Sequence, residues 1–371
     1  MHSVAINSDL PDLPTRVRRV GDEFISRLGL KASQAQPFEV RIAPTRQKSI
    51  HETAIVEVVG GMNLFRCFVK GNIPNYQGGQ DLEAEYQTLA KIGGKISDLN
   101  QQTRSPRALA FFPSEELMFL ELVEGRTLKS ILFDLRPSKH DLGCLLDLTG
   151  EWLAHFHRIT QVGEGNPFDW LEEQFELERV RQAFCNCSVS GLYDSAVSMI
   201  RQYRRRNPNF RRPVCQTHGE FTPLHVLVNE AAIYVIDFGS VHQAFPYEDV
   251  ALFTTFYEGL QPWRRATGLF RMPFCQQKQR FLRSYLQHYK QEDAPEDEIV
   301  ASFFRIISMA RHEVPWERAP KSWADRGYLK FGRSWMRRRF AAMVRQELND
   351  LQILADADEN RRQSRVQPLL A

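Results

Sequence analysis

His218-Gly-Glu-Phe-Thr-Pro-Leu-His-Val-Leu-Val228 is followed, a few residues on, by Ile233-Tyr-Val-Ile-Asp-Phe-Gly239. Two short apolar runs flank Asn229-Glu230, which reads as the turn of a hairpin. Glu220 and Asp237 stand 17 residues apart in the chain. A hairpin between them brings the loop before its first strand beside the loop after its second. Glu220, His225 and Asp237 are therefore expected to converge. One carboxylate of such a set can orient a hydroxyl, and the other can hold a divalent metal on a phosphate.

Working outward from this island, the residues before it are strand-rich. Phe38–Ala43 alternates, and Thr53–Val59 and Leu64–Lys70 flank Gly60-Gly61-Met62-Asn63, a glycine hairpin turn. Leu82, Tyr86, Leu89 and Ile92 have helical spacing, and Gly93-Gly94 is expected to stop that helix. Ala108–Phe112 and Leu117–Glu121 read as further strands before the short connection Leu122-Val-Glu-Gly125. Beyond it helices are expected at 142–157, 169–185, 191–206, 275–290, 298–312 and 333–350. The order predicts an α+β chain in four parts. These are an N-terminal extension (1–37) with a short helix at Val20–Leu30, a sheet region (38–121), a mainly helical region (122–350) and a tail (351–371).

The 371 residues are 43% hydrophobic and 25% charged, with a formal net charge of +3. These ordinary globular values exclude collagen-like and disordered classes, and so small a charge does not point to nucleic acid. The six cysteines lack zinc spacing and read as thiols of a reducing compartment. The first 30 residues contain no uninterrupted apolar core of a signal peptide, and no run approaches the roughly 18 apolar residues of a spanning helix. A cytoplasmic protein is expected, with peripheral membrane contact left open.

The combined pattern resembles the aminoglycoside phosphotransferases, relatives of the protein kinases. Their catalytic loop reads H-G-D-x-x-x-x-N and is followed by a hairpin and an I-D-[FW] metal site. The resemblance spans roughly residues 38–290. Lys70, the Leu117–Gly125 connection, Glu151-Trp-Leu-Ala-His-Phe-His157 and Tyr247-Glu-Asp-Val-Ala-Leu-Phe253 also match it. It implies a protein-kinase-like two-lobed fold, with a small antiparallel-sheet N-lobe and a larger, mainly helical C-lobe. It further implies ATP and Mg²⁺ or Mn²⁺ as cofactors. By the same resemblance Lys70 grips the α- and β-phosphates, and Asp237 binds the metal. Backbone groups of the Glu121–Glu124 hinge, with Glu121 and Val123 as the contact positions, hold the adenine. His218 is structural. The partner of Lys70 is a glutamate on the next helix. Glu85 lies three residues after Leu82 and four before Leu89, on their apolar face, so it is preferred; Glu83 is the rival.

Two positions depart from the family pattern. Glu220 stands at the catalytic aspartate, which moves the carboxylate by about one methylene. His225 stands at the second metal ligand, an asparagine in the family, and its nitrogen suits Mn²⁺ or Zn²⁺ better than Mg²⁺. The expected phosphate-covering segment, Ala43–His51, lacks glycine. Thr45, Arg46, Lys48 and Ser49 would contact phosphate with side chains there, or form an exposed basic loop. Only 12 residues separate Asp237 from Asp249, too few for the long activation segment of a regulated protein kinase. Arg204–Arg206, Arg211-Arg212 and Arg337–Arg339 read as solvated faces, and Glu292–Glu298 as a loop between helices. Two function classes remain. One is an ATP-dependent phosphotransferase acting on a small-molecule hydroxyl acceptor such as a sugar or amino sugar, with Glu220 on the acceptor hydroxyl. The other is a catalytically impaired pseudokinase acting as a nucleotide- or glycan-binding regulatory module.

Overall fold

The computed structural model describes residues 11–29, 39–43, 51–60, 63–73, 81–133, 141–187, 189–230, 232–259, 274–290, 294–313, 337–338, 340–354 and 356. Thr45, Arg46, Lys48 and Ser49 lie outside the described residues, as do Gly61-Met62, Arg339 and most of the tail. The chain divides into two units. The first comprises Met1–Thr160, His218–His242 and Gln279–Tyr289; the second comprises Gln161–Thr217, Gln243–Lys278 and Lys290–Ala371.

The first unit opens with helix α1 (Leu13–Arg27). Asp12 caps it by accepting the Thr15 N–H at 2.9 Å, and a proline stands in its first turn. The helix thus starts seven residues before the Val20 expected from apolar spacing. Leu13, Val17, Val20 and Phe24 share one core with Val56, Val58, Cys67, Val69 and Phe119 of the sheet. Each such side chain contributes about 1.5–3 kcal/mol when fully buried. Arg16, also buried, donates to Glu115 O, Asn72 O and Glu52 Oε2 and so staples the helix to that face.

The sheet strands are β1 (Glu39–Ala43), β2 (His51–Gly60) and β3 (Asn63–Asn72). After α2 (Leu82–Leu99) and the two-residue β4 (Thr103–Arg104) come β5 (Ala108–Phe112) and β6 (Leu117–Glu121). The five long strands pair antiparallel in the order β1-β2-β3-β6-β5. Alternation along β3 buries Cys67 and Val69 on the α1 side and puts Arg66, Phe68 and Lys70 on the other face. Helix α2 runs through Gly93-Gly94 instead of stopping there. The glycines cost roughly 1 kcal/mol each relative to alanine, but Leu89, Ile92 and Ile96 are buried along one face on both sides of them.

The connection then passes into β7 (Arg126–Thr127), α3 (Leu128–Phe133) and α4 (Leu142–Ile159). Gly125 is required because a Cβ there would stand 2.7 Å from Val228 O.

In the second unit, β8 (Gly163–Gly165) precedes α5 (Pro167–Glu176), α6 (Glu178–Asn186), α7 (Ser190–Arg206) and β9 (Arg212–Thr217). The single helix expected over 169–185 is two, broken at Leu177, where ψ is 128°. The break lets Phe175 and Phe184 enter one core with Tyr193, Ile200 and Phe303.

The chain returns to the first unit as the hairpin β10 (Val226–Val228) and β11 (Ile233–Val235). The hairpin joins β4 and β7 in a second sheet, ordered β4-β11-β10-β7. Asn229 closes its turn, with Oδ1 accepting the Ala232 N–H at 2.9 Å. After β12 (His242–Ala244) and α8 (Tyr247–Gly259) come α9 (Phe274–Tyr289) and α10 (Pro295–Glu313). The Gln279–Tyr289 part of α9 approaches α4 so closely that a Cβ on Gly150 would lie 2.5 Å from Phe281 O. Among the described residues no helix is long and apolar enough to cross a membrane.

Candidate active site

Lys70 sits near the end of β3, between Thr53 of β2 and Met118 of β6. Its ammonium is buried and bonded twice, to Glu85 Oε2 at 2.8 Å and to Asp237 Oδ1 at 2.9 Å. Glu85 lies on the buried face of α2, whereas Glu83 is exposed. The other oxygen of Glu85 accepts the Phe238 backbone N–H at 3.1 Å. One glutamate therefore ties β3, α2 and the residue after Asp237 together.

The electrostatics follow from burial against charge. Burial pushes Lys70 down, but the carboxylates of Glu85 and Asp237 outweigh it and hold the ammonium above its ordinary value. Burial is also the main influence on Glu85 and raises its carboxyl despite the adjacent ammonium. Burial would raise Asp237 too; the Lys70 charge and hydrogen bond, helped by His225 and His218, instead hold it down at about 2.

Asp237 follows β11 with φ +67°, in the left-handed region, which Asp tolerates better than most residues. His218 is buried beside it, with Nε2 3.0 Å from Ile236 O and its ring 4.9 Å from that of Phe238. Trp152 of α4 stacks under this loop on Phe221 and Phe156. Gly219 has φ +77°, and a Cβ there would collide with Ser240 O at 2.3 Å, so the two loops meet through a glycine.

His225 lies between Glu220 and Asp237. Its Nδ1 is 2.5 Å from Glu220 O, and its Nε2 faces Asp237 Oδ2 at 3.9 Å. The Glu220 carboxylate is exposed and makes no hydrogen bond or ion pair among the described residues. Lys70, Glu85, Asp237 and His225 are thus brought together, and Glu220 joins them through its backbone carbonyl. No three His, Cys, Asp or Glu side chains among the described residues form a set able to hold a metal ion by themselves.

At the end of β6, Glu121 N donates to Arg107 O at 2.9 Å, and its Oε2 accepts the Arg107 N–H at 3.1 Å. Val123 lies in the irregular segment between β6 and β7, half-buried, and the next residue, Glu124, accepts from Arg66 at 2.6 Å.

The profile of a phosphotransferase enzyme family matches residues 84–298. The chain belongs to this phosphotransferase family. Among solved structures it is similar to a candidate aminoglycoside phosphotransferase from Ralstonia eutropha, with 12% identity and a TM-score of 0.57 over 90% of this chain and 98% of that one. It is also similar to a choline kinase from Cryptosporidium parvum, with 13% identity and a TM-score of 0.49 over 93% and 96% of the two chains. At 12% identity the likeness to the Ralstonia protein is one of fold. No curated protein matches the sequence. This phosphotransferase family member has the expected α+β, protein-kinase-like fold, with antiparallel N-terminal strands and a mainly helical C-terminal part.

Two contacts of this family member have no counterpart in the sequence reading: the Glu85–Phe238 N–H bond and the Glu220 carbonyl on His225. Both use backbone atoms, which no residue type announces. What the arrangement offers chemically is a fixed cation for phosphate oxygens and, next to it, a carboxylate and an imidazole that face each other.

Proposed function

We propose that this chain transfers the γ-phosphoryl group of ATP to a hydroxyl of a small molecule, a sugar, amino sugar or related alcohol, in the cytoplasm. The observation that carries this reading is the buried Lys70 ammonium held between Glu85 and Asp237, in a member of a phosphotransferase family. A lysine so fixed is a ready partner for phosphate oxygens and needs no reorganisation to meet them.

Asp237 and His225 would hold a divalent cation. Asp237 Oδ2 and His225 Nε2 face each other at 3.9 Å, inside the roughly 4.2 Å that two bonds to one cation can span. Two protein ligands suffice where phosphates complete the shell. Such an ion neutralises charge on the phosphates. Lys70 binds and orients the same phosphates, and backbone groups at Glu121 and Val123 receive the adenine. Glu220, exposed at the loop, accepts the proton of the acceptor hydroxyl at its carboxylate.

The test has two parts. ATP with Mg²⁺ or Mn²⁺ should raise the melting temperature, by linkage. Across a panel of hydroxyl acceptors, Glu220→Gln should lower transfer by roughly 10²-fold or more while nucleotide binding survives. Glu220→Asp should also lose activity, because its carboxylate retreats by about 1 Å. Transfer that ignores Glu220→Gln would remove that residue's role. Nucleotide binding with no transfer to any acceptor would make the chain a binding module instead of an enzyme.

A further inference from the structure

We infer that the cation site of this chain selects a transition metal such as Mn²⁺ over Mg²⁺, because His225 is a preset nitrogen donor. The inference rests on the proposed nucleotide site and deepens it. A backbone carbonyl can only accept, so the 2.5 Å contact to Glu220 O puts the proton of the neutral ring on His225 Nδ1. The lone pair is then on Nε2, the atom that faces Asp237 Oδ2. Asp237 Oδ1 is occupied by Lys70, so Oδ2 is the oxygen left to coordinate. The 3.9 Å separation lies within the span of two metal–ligand bonds of about 2.1 Å each.

The ring is also fixed in place. It stacks on His218 at 5.7 Å with an interplanar angle of 18°, and His218 is itself fully buried. The His225 N–H donates to Thr222 O, and its carbonyl accepts the Ile236 N–H, both at 2.9 Å. An imidazole whose second nitrogen donates to a backbone carbonyl is the usual outer support of a metal-bound histidine. Mg²⁺ is a hard ion that favours oxygen, whereas an imidazole–carboxylate pair suits Mn²⁺ and the later first-row ions.

The test uses the full chain with a non-hydrolysable ATP analogue. Pulsed EPR of the Mn²⁺ complex should show a directly bonded ¹⁴N coupling, which disappears in His225→Asn and in His225→Gln. By calorimetry, the Mn²⁺-over-Mg²⁺ preference for analogue binding should shrink by roughly tenfold in His225→Asn. Analogue binding with no nitrogen coupling in the wild type, or with the same preference in both proteins, overturns the inference and leaves the proposed function standing. Failure of the analogue to bind with either metal overturns the proposed function and this inference with it. The wild-type EPR signal needs no variant to fold, so a poorly folded variant cannot mask the answer.

Discussion

Two networks of carboxylates and cations in this chain have nearly the same distances and opposite settings. Lys70 meets Glu85 and Asp237 at 2.8 and 2.9 Å, with its side chain 3% exposed. In the second unit, Arg201 and Arg204 each meet Glu172 at 2.7 Å with side chains 50% exposed, and Arg204 also meets Asp169. This second network lines a groove of about 480 Å³ together with Arg205 and Arg211. Contact distance therefore does not distinguish the two networks; the burial of the cation does. Charges removed from water are costly to leave unpaired, while charges in water are screened and replaceable.

The strongest way to break the comparison is to delete the buried cation. Lys70→Met leaves the buried Glu85 without its counter-ion and should cost about 3–5 kcal/mol, read from the denaturant midpoint. Adding Glu85→Leu to that variant should restore most of the loss, because a well-packed apolar pair needs no counter-ion. A loss below about 1 kcal/mol in the single variant would mean that water reaches the pair, and the contrast with the surface network would fail.

A smaller effect is expected with pH. Asp237 is held at about 2, below its ordinary 3.8. A depressed carboxyl binds fewer protons folded than unfolded, so its contribution is present above pH 4 and lost as pH falls through about 2. The amount is about 2 kcal/mol. Unfolding curves between pH 5 and 2 should be flatter for Asp237→Asn than for the wild type. Parallel profiles would mean that Lys70 does not hold Asp237 down.

The smallest effect belongs to the surface. Hydrogen bonding by Arg201 outweighs the opposing effect of burial and, with Arg204, holds Glu172 below its ordinary value. Glu172→Gln should leave the melting temperature unchanged within error, and added salt should move the Glu172 titration back toward an ordinary carboxyl. A large, salt-resistant drop in melting temperature would show that this groove is held by its charges.

Much of the first network was legible from local rules. Lys70 closes an alternating strand, and Glu85 falls on the apolar stripe of α2 between Leu82 and Leu89, which singles it out over the exposed Glu83. Asp237 after an apolar strand, with the Asn229 turn behind it, fixed the hairpin. The start of α1 was also written locally, in Asp12 and Pro14, and apolar spacing alone passed over it.

Other features were decided only in three dimensions. Helix α2 survives Gly93-Gly94, and the 169–185 stretch breaks at Leu177, because long-range burial outweighs a propensity term of about 1 kcal/mol. At the site, the sequence placed Glu220, His225 and Asp237 near one another by side chain. Folding joined Glu220 to His225 through a carbonyl and Glu85 to Phe238 through an N–H. Residue types specify side chains; the peptide group is the same at every position. Which peptide group meets which ring is therefore a property of the loop's path, and only the folded chain contains it.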